Sequence, residues 1–247
     1  KGRKKFRELI KDNDFDLILN CWIAPSGLWS FGAKTKSKTA VWALGSDVSV
    51  YSKKLLPRFI LKKILSRSDI VFTNSLQNSS ELKKIFNTKS LILYTGRKLP
   101  LSSVVYKSEP KLKLAFVGRL EKIKGPDLLV SALILSNISN FELKIVGDGS
   151  MRAELESAVE SNGLSGKVRF LGMKNVSEIS DVLSGSDYLV ISSRNESMPV
   201  VFWEAMQTST PVVSTDAGDI KHYCDRFNVG RVCEPDERSL SDLLCFI

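Results

Sequence analysis

The sequence has few of the residues that build zinc sites and disulfide frameworks. It contains one histidine, His222, and four cysteines among 247 residues, and no two cysteines form a C-x-x-C pair. A structural or catalytic zinc needs three or four such ligands at regular spacing, so we expect no metal site. So low a density of cysteine is typical of reduced thiols in a cytoplasmic protein.

Long hydrophobic runs are also missing. No run reaches the ~18 apolar residues of a membrane span, and the opening residues KGRKKF lack the apolar region of a signal peptide. The chain begins with Lys1 rather than with methionine. We therefore interpret the chain as a fragment of a longer protein.

What is present is the composition of a globular protein with more than one domain. Hydrophobic residues make up 43% and charged residues 26%, and the length exceeds the ~100–150 residues of one typical domain. The formal charge of +9 is uneven, because residues 1–110 carry +13 and residues 111–247 carry −4. A basic first half indicates an anionic partner, although a solvated basic surface would produce the same imbalance.

Short apolar runs with strand character alternate with helical segments along the whole chain. The predicted strands are residues 15–20, 39–45, 70–74 and 90–94 in the first half, and 113–118, 141–147, 168–172, 187–193, 211–215 and 230–234 in the second. This alternation predicts parallel β-α-β units, and six strands are enough for a doubly wound sheet. The pattern lapses near 98–111, so we predict an α/β protein with two Rossmann-like domains, residues 1–104 and 105–247.

Loops that follow strands of the second half hold the candidate site residues, because ligands of such sheets bind beyond the carboxyl ends of the strands. In the loop 118–125, Arg119 and Lys124 suit a diphosphate, although an ordinary solvent-facing loop carries similar charges. The G-x-G of the loop 147–149 begins a dinucleotide fingerprint, but Arg152 stands at the third glycine position. A tight turn is therefore favoured over an NAD site.

A third loop, residues 194–199, lies beside two glutamates. Glu196 is in the loop and Glu204 follows eight residues later, about two turns into a predicted helix whose first position suits Pro199. Ionised carboxylates accept hydrogen bonds from vicinal hydroxyls, and a helix N-terminus beside Ser197 to Val200 attracts phosphate. Paired carboxylates also suit glycoside hydrolysis, which stays an alternative.

Five motifs together resemble the retaining GT-B glycosyltransferases of family 4. They are V-G-R-L-x-x-x-K-G (117–125), V-G-D-G (146–149), F-L-G (170–172), E-x7-E (196–204) and P-V-V-S-T-x-x-G (211–218). The resemblance covers residues 112 to about 235, and a weaker match runs back through W-x-x-P-S-G (22–27) and G-S-D (45–47). It implies a GT-B type fold with the N-terminal domain and the C-terminal end truncated, since the opening strand, its glycine-rich loop and the final helix have no counterpart.

The resemblance also implies a function and a set of roles. The function is retaining, metal-independent transfer of a sugar from a UDP- or GDP-sugar, without a cofactor, by electrostatic stabilisation of the leaving group. Arg119 and Lys124 would neutralise the diphosphate and form the catalytic set with Glu196, which contacts the sugar, while Glu204 holds the ribose hydroxyls. The other implied donor-binding residues are Gly118, Gly147, Met173, Lys174, Ser197, Met198, Pro199 and Val200. The implied acceptor-side residues are Gly45, Ser46 and Asp47.

The resemblance says less about the acceptor than about the donor. Members of the family often carry histidine where this sequence has Leu44. Trp22, Trp29, Phe31 and the basic helix predicted at 53–63 suit an anionic membrane surface, and hence a lipid-linked or glycan acceptor in polysaccharide or glycolipid assembly at the inner face of a membrane. A helix packed on the sheet with its lysines in water would explain the same residues. No nucleic-acid partner is expected, because no recognised motif accompanies the charge. The alternative function is a truncated nucleotide-sugar-binding protein with little or no turnover.

Overall fold

The protein divides into two compact units, Lys1–Thr95 and Gly96–Ile247. The computed structural model describes residues 2–33, 35–45, 48, 55–102, 104 and 110–247. The division precedes the predicted boundary at 104/105, because residues from 97 onwards are hydrogen-bonded to helices of the second unit. The backbone N–H of Leu99 donates to Gln207 Oε1 over 2.9 Å, and Ser180 Oγ donates to the carbonyl of Pro100 over 2.8 Å. Much of the predicted linker, residues 105–109, lies outside the described residues.

The first unit is a four-stranded parallel sheet with helices. Its strands, in the spatial order β1-β2-β3-β4, are β1 (Leu17–Cys21), β2 (Lys38–Ala43), β3 (Ile70–Thr73) and β4 (Leu91–Ile92). Its described helices are α1 (Gly2–Asp12), α2 (Ser26–Ser30), α3 (Leu55–Leu65) and α4 (Leu76–Phe86). The core joins the sheet to α3 and α4 through Ile23, Val41, Leu61, Ile64 and Leu82.

Strand β1 is partly exposed, although parallel strands are usually buried on both faces. Leu17 and Leu19 are 44% and 42% exposed. The strand lies at the edge of the sheet with a single neighbour, β2, so part of its apolar surface is not covered by the described residues. None of the helices described is long and apolar enough to cross a membrane.

The second unit is a six-stranded parallel sheet, which confirms the predicted doubly wound arrangement. Its strands are β5 (Leu112–Val117), β6 (Phe141–Val146), β7 (Val168–Gly172), β8 (Tyr188–Ile191), β9 (Val212–Thr215) and β10 (Gly230–Cys233). Its helices are α5 (Pro126–Leu135), α6 (Arg152–Ser161), α7 (Val176–Ser184), α8 (Val200–Gln207), α9 (Ile220–Phe227) and α10 (Glu237–Phe246). The strand order is β10-β9-β8-β5-β6-β7.

Three neighbouring strands of this sheet, β5, β8 and β9, are buried at consecutive positions rather than at alternate ones. Leu114, Ala115 and Phe116 of β5 are all buried, as are the four residues of β9. Consecutive burial is expected of parallel strands covered on both faces by helices. The core includes Leu129 of α5 and Leu240 of α10, and each such leucine stabilises the fold by roughly 1.5–3 kcal/mol.

The sheet reverses its direction of winding between β5 and β8. From β5 the chain builds β6 and β7 to one side, then returns to place β8 beside β5 and builds β9 and β10 to the other side. In open α/β sheets the crevice at such a switch point, beyond the carboxyl ends of the two strands, is where ligands bind. The loops after β5 and β8 are therefore where a site is expected.

Glycine allows these loops to approach one another more closely than a side chain permits. Gly125, which ends the loop after β5, has φ +62°, and a Cβ there would lie 1.9 Å from the carbonyl oxygen of Ser192 at the end of β8. Gly147, after β6, has φ +134°, and its Cβ would lie 1.8 Å from the carbonyl oxygen of Gly118. The contact between neighbouring loops is thus made by backbone.

We expect Gly125→Ala to destabilise the protein more than Gly163→Ala. Both glycines have similar φ, +62° and +69°, but nothing lies within 4 Å of a Cβ at Gly163. Strain from positive φ alone should cost about 1 kcal/mol at Gly163, whereas the added backbone clash at Gly125 should cost at least about 2 kcal/mol more. Urea unfolding of both variants measures the difference, and equal losses would show that the close approach to Ser192 is not needed.

Candidate functional site

A cleft of about 420 Å³ opens at the switch point of the second unit. Its walls are apolar and come from the ends of the two central strands, with Phe116 and Val117 on β5 and Val190 and Ile191 on β8. The other lining residues are Arg97, Gly118, Lys124, Ser193, Glu196, Pro199, Val200, Val201 and Glu204. A concave site with apolar walls and a few polar groups is the usual form of a small-molecule site.

An ion pair joins the two loops that flank the cleft. A 3₁₀ turn, Lys122–Lys124, ends at Gly125 and places Lys124 in the cleft, where its Nζ donates to Glu196 Oε1. Ser193 Oγ donates to the same oxygen over 3.0 Å. Within the described part of the chain, Glu196 Oε2 accepts no hydrogen bond, so this oxygen can accept a further one.

A second cluster of charges, which we call the clamp, fixes the turn that carries Lys124. Its members are Lys122, Asp127 and Arg194. The Arg194 guanidinium donates to both carboxylate oxygens of Asp127 over 2.7 Å and to the carbonyl of Lys122 over 2.7 Å. Lys122 Nζ adds a bond of 2.6 Å to Asp127. Burial would raise the pKa of Asp127, but the bonds from Arg194 and Lys122 outweigh burial and lower this pKa.

Glu204 lies deep in the cleft, with 3% of its side chain exposed. Helix α8 begins at Val200, and Pro199 is its N-cap with extended backbone angles. The prediction that Pro199 opens the helix was therefore wrong by one residue, and Glu204 lies just over one turn into α8 instead of two. Its Oε1 accepts a bond from Arg97 Nε, and no described residue donates to Oε2.

The N-terminus of α8 also borders the cleft. Pro199, Val200 and Val201 line it, and the N-cap residue Pro199 offers no side-chain hydrogen bond to the helix. The first N–H groups of an α-helix have no partner within the helix, and they carry partial positive charge. An anion in the cleft would find these groups beside Lys124.

The cleft brings together six of the sequence-predicted donor-binding residues and leaves the others outside its lining. Those in the lining are Gly118, Lys124, Glu196, Pro199, Val200 and Glu204. Arg119 is exposed, and among the described residues its side chain makes no hydrogen bond or ion pair. Gly147 packs on the backbone of Gly118. The contacts of these residues with a donor stay predictions.

The remaining predicted donor-binding residues lie at the ends of β7 and β8. Met198 is buried, and the carbonyl of Ser197 accepts a bond of 3.0 Å from the backbone N–H of Asp219. Met173 is 75% exposed directly after β7, and Lys174 Nζ donates to Glu178 over 2.8 Å. The bond from Lys174 and one from the backbone N–H of Asn175 lower the pKa of Glu178.

Sequence reasoning missed two arginines, Arg97 and Arg194. Arg97 stands at the edge of the predicted linker, and no motif singles it out. Arg194 belongs to the loop that was identified, but its partner Asp127 is 67 positions away. Only the side-by-side position of β5 and β8 brings the two together.

The predicted acceptor-side residues belong to the first unit. Gly45 follows β2, is buried, and accepts a bond of 2.9 Å from the backbone N–H of Val48. Ser46 and Asp47 lie outside the described residues. Their role in binding an acceptor stays a prediction.

Neither metal ligands nor reactive thiols stand out near the cleft. In the part of the chain that the structure describes, no three His, Cys, Asp or Glu side chains are placed to hold a metal ion. Burial raises the pKa values of the Cys224 and Cys233 thiols to about 11. These two thiols therefore stay protonated near neutral pH, and neither lines the cleft.

Comparison with known proteins identifies relatives of this sequence. Residues 101–244 match the sequence profile described as glycosyl transferases group 1. An uncharacterized glycosyltransferase of Methanocaldococcus jannaschii is 26% identical over 218 residues, which is 87% of this chain and 60% of that protein. The chain therefore spans less than two thirds of the length of this relative.

Solved structures share the fold. Sucrose-phosphate synthase from Thermosynechococcus elongatus superposes with a TM-score of 0.80 at 20% identity, over 98% of this chain and 67% of that one. HepE of Anabaena, solved in complex with UDP and glucose, gives a TM-score of 0.79 at 20% identity, over 99% of this chain and 71% of that one. These likenesses confirm the predicted GT-B type α/β fold.

We expect loss of the arginine of the clamp to destabilise the second unit. Arg194→Gln should lower the free energy of unfolding by about 1–2 kcal/mol, because a bidentate, partly buried pair is broken. Lys122→Gln removes the 69% exposed partner of the same carboxylate and should cost less than about 0.5 kcal/mol. Urea unfolding at pH 7 compares the two, and equal effects would contradict the role of Arg194.

Acid should weaken the same interaction. The folded state lowers the pKa of Asp127 below its ordinary 3.8, so its contribution is complete above that value and is lost as the pH falls through the folded pKa. The stability difference between wild type and Arg194→Gln should therefore shrink below about pH 4.

Proposed function

Because this chain belongs to the glycosyl transferases group 1 family, we propose that it transfers a sugar from a nucleoside diphosphate sugar to an acceptor. The cleft of the second unit would bind the donor. The observation that carries this proposal is the pairing of Lys124 with Glu196 across the switch point, beside the N-terminus of α8. This arrangement offers cationic donors and carboxylate acceptors in one apolar space.

Each part of a nucleotide-sugar has a chemical match in or beside the cleft. Lys124 and the N–H groups at the start of α8 suit a diphosphate, and the nearby Arg119 would add a second cation. Glu204 Oε2 and Glu196 Oε2 suit the hydroxyls of the ribose and of the transferred sugar, since ionised carboxylates are acceptors only. The exposed loop at Met173 and Lys174 would meet the nucleobase. HepE, which shares the fold, binds UDP and glucose.

The proposed reaction retains the anomeric configuration and uses no metal. The bond between the anomeric carbon and the phosphate oxygen breaks, and its electron pair leaves with the nucleoside diphosphate. Positive charge from Lys124, Arg119 and the helix N-terminus stabilises this leaving group. The acceptor hydroxyl attacks from the face that the diphosphate leaves and gives its proton to the departing phosphate oxygen, while Glu196 holds the sugar.

Turnover distinguishes this function from nucleotide-sugar binding alone. The chain, and a version extended to the length of its relatives, should be incubated with UDP- and GDP-sugars while release of the nucleoside diphosphate is followed. We expect acceptor-dependent release from at least the longer version. Binding without release from either would favour the alternative of a binding protein with little turnover.

We expect Lys124→Ala to abolish turnover and Glu204→Ala to weaken donor binding. Removing Lys124 leaves the developing charge of the leaving group without its nearest cation, which should reduce kcat by about a hundredfold or more. Removing Glu204 deletes the ribose acceptor, which should raise Kd for the donor about tenfold. Lys221→Ala, which removes an exposed lysine from α9, is the matched control. Unchanged kinetics in both cleft variants would refute the assignment of this site.

We further propose that the first unit docks on an anionic membrane surface and acts on a lipid-linked or glycan acceptor. Helix α3 supports this, because Leu56 and Phe59 are 72% and 57% exposed beside the cations Lys62 and Lys63. Lys63 Nζ lies 4.5 Å from the centre of the Phe59 ring. Exposed apolar side chains flanked by lysines are typical of helices that lie in a membrane interface. Lys53 and Lys54 of the predicted basic helix lie outside the described residues.

Vesicle co-sedimentation tests the membrane proposal. With vesicles that contain anionic lipid, Lys62→Gln/Lys63→Gln should lower partitioning by at least about tenfold at low salt, since each surface lysine contributes about 1 kcal/mol. Lys83→Gln/Lys84→Gln removes the same charge from α4 and should have a smaller effect. Binding that is independent of anionic lipid and of salt would contradict the proposal.

A further inference from the structure

Arg97 is the cation in the cleft that no motif explains, and the structure fixes its backbone firmly. The carbonyl of Arg97 accepts a bond of 2.9 Å from Gln207 Nε2, and Gln207 Oε1 accepts one of 2.9 Å from the N–H of Leu99. Leu99 is buried, and the carbonyl of Pro100 accepts a bond from Ser180. Residues 97–100 are thus held against α7 and α8.

The side chain of Arg97 reaches the carboxylate on the same helix. Glu204 and Gln207 stand three positions apart on α8, so they share a face of the helix. Arg97 Nε donates to Glu204 Oε1, with 43% of the arginine side chain exposed and 3% of the glutamate side chain. A guanidinium has five N–H donors, and the four on the Nη atoms of Arg97 make no hydrogen bond with the described residues.

Charge in the cleft depends on this arginine. Four ionisable residues line it, Arg97 and Lys124 against Glu196 and Glu204, so their charges cancel. Without Arg97 the described lining residues would have a net charge of −1. Their sole cation would then be Lys124, which is already paired with Glu196. Arg119 is not in the lining. An anionic ligand would then meet a buried, unpaired Glu204, which is strongly unfavourable in an apolar site.

We propose that Arg97 is a donor-binding residue, which neutralises Glu204 and presents its Nη groups to the diphosphate. This inference rests on the proposed function, because it takes the ligand of the cleft to be a nucleoside diphosphate sugar. Arginine suits this role, since its planar fork can donate two parallel bonds to phosphate oxygens. Glu204 keeps Oε2 for the ribose while Oε1 holds the guanidinium in place.

Binding measurements with and without the diphosphate test this role. UDP, GDP and the nucleosides uridine and guanosine should be titrated into the full chain, wild type and Arg97→Gln, by calorimetry or by ligand-observed NMR. We expect Arg97→Gln to weaken binding of the preferred nucleoside diphosphate about tenfold to a hundredfold, and binding of the matching nucleoside by less than about threefold. The loss should fall as salt is raised, because it is electrostatic.

Two further variants complete the design. Lys98→Gln removes a neighbouring exposed cation and should change affinity by less than about twofold. Arg97→Lys keeps the charge without the planar fork, so it should weaken diphosphate binding about threefold to tenfold and leave nucleoside binding unchanged. This variant also provides a readout if Arg97→Gln does not fold, which thermal melting will show.

The outcomes separate this inference from the function on which it rests. Equal losses for nucleoside and nucleoside diphosphate would show that Arg97 only supports Glu204, and would overturn the inference. Unchanged affinity in Arg97→Gln, with wild type binding UDP or GDP, would also overturn it and leave the proposed function intact. A wild-type chain that binds neither nucleotide would overturn the proposed function itself.

Discussion

Between β5 and β8 the sheet reverses its winding, so the connections that follow these two strands diverge and cannot cover the space between them. A cleft must open there, and the parallel strands direct their carboxyl ends toward it. The ion pair between Lys124 and Glu196 follows from this reversal. Lys124 lies on the loop after β5 and Glu196 lies on the loop after β8. The two residues are 72 positions apart in the sequence, and the fold brings them together as an ion pair. The clamp joins Arg194 of the second loop to the carbonyl of Lys122 in the first loop and to Asp127 in the first turn of α5.

The two glutamates of the cleft have similar hydrogen-bond partners, and these partners indicate which chemistry the glutamates suit. Each accepts a cation on Oε1, Lys124 on Glu196 and Arg97 on Glu204, and no described residue donates to either Oε2. Glycoside hydrolysis needs one carboxyl group to donate a proton to the leaving oxygen, whereas both of these groups act as acceptors toward a cation. The arrangement favours binding of hydroxyls over acid–base chemistry. It also keeps the lining neutral, so that an anionic ligand is not repelled.

Much of this could be predicted from sequence, because the signals are local. Each of the ten strands in the described residues overlaps a predicted run, and the central strand β5 is buried from Leu114 to Phe116. Gly125 and Gly147 mark the loops where backbones must meet. The features that were predicted wrongly involve residues that are distant in the sequence. The exposure of Leu17 and Leu19 depends on the number of neighbours that β1 has. Just before α8, the carbonyl of Ser197 accepts a hydrogen bond from the backbone N–H of Asp219, which lies 22 positions away.

Arg97 is the clearest example of a site residue that local sequence does not predict. Its local sequence, in a stretch poor in apolar periodicity, indicates only a connection between domains, and its partner Glu204 lies 107 positions away. Two hydrogen bonds to Gln207 are what place it, and they depend on helix α8 presenting positions 204 and 207 on one face. A glutamate three residues before a glutamine on a helix is unremarkable in sequence. In the fold, that spacing lets one helix face hold both the backbone and the side chain of an arginine, and so sets the charge of the cleft.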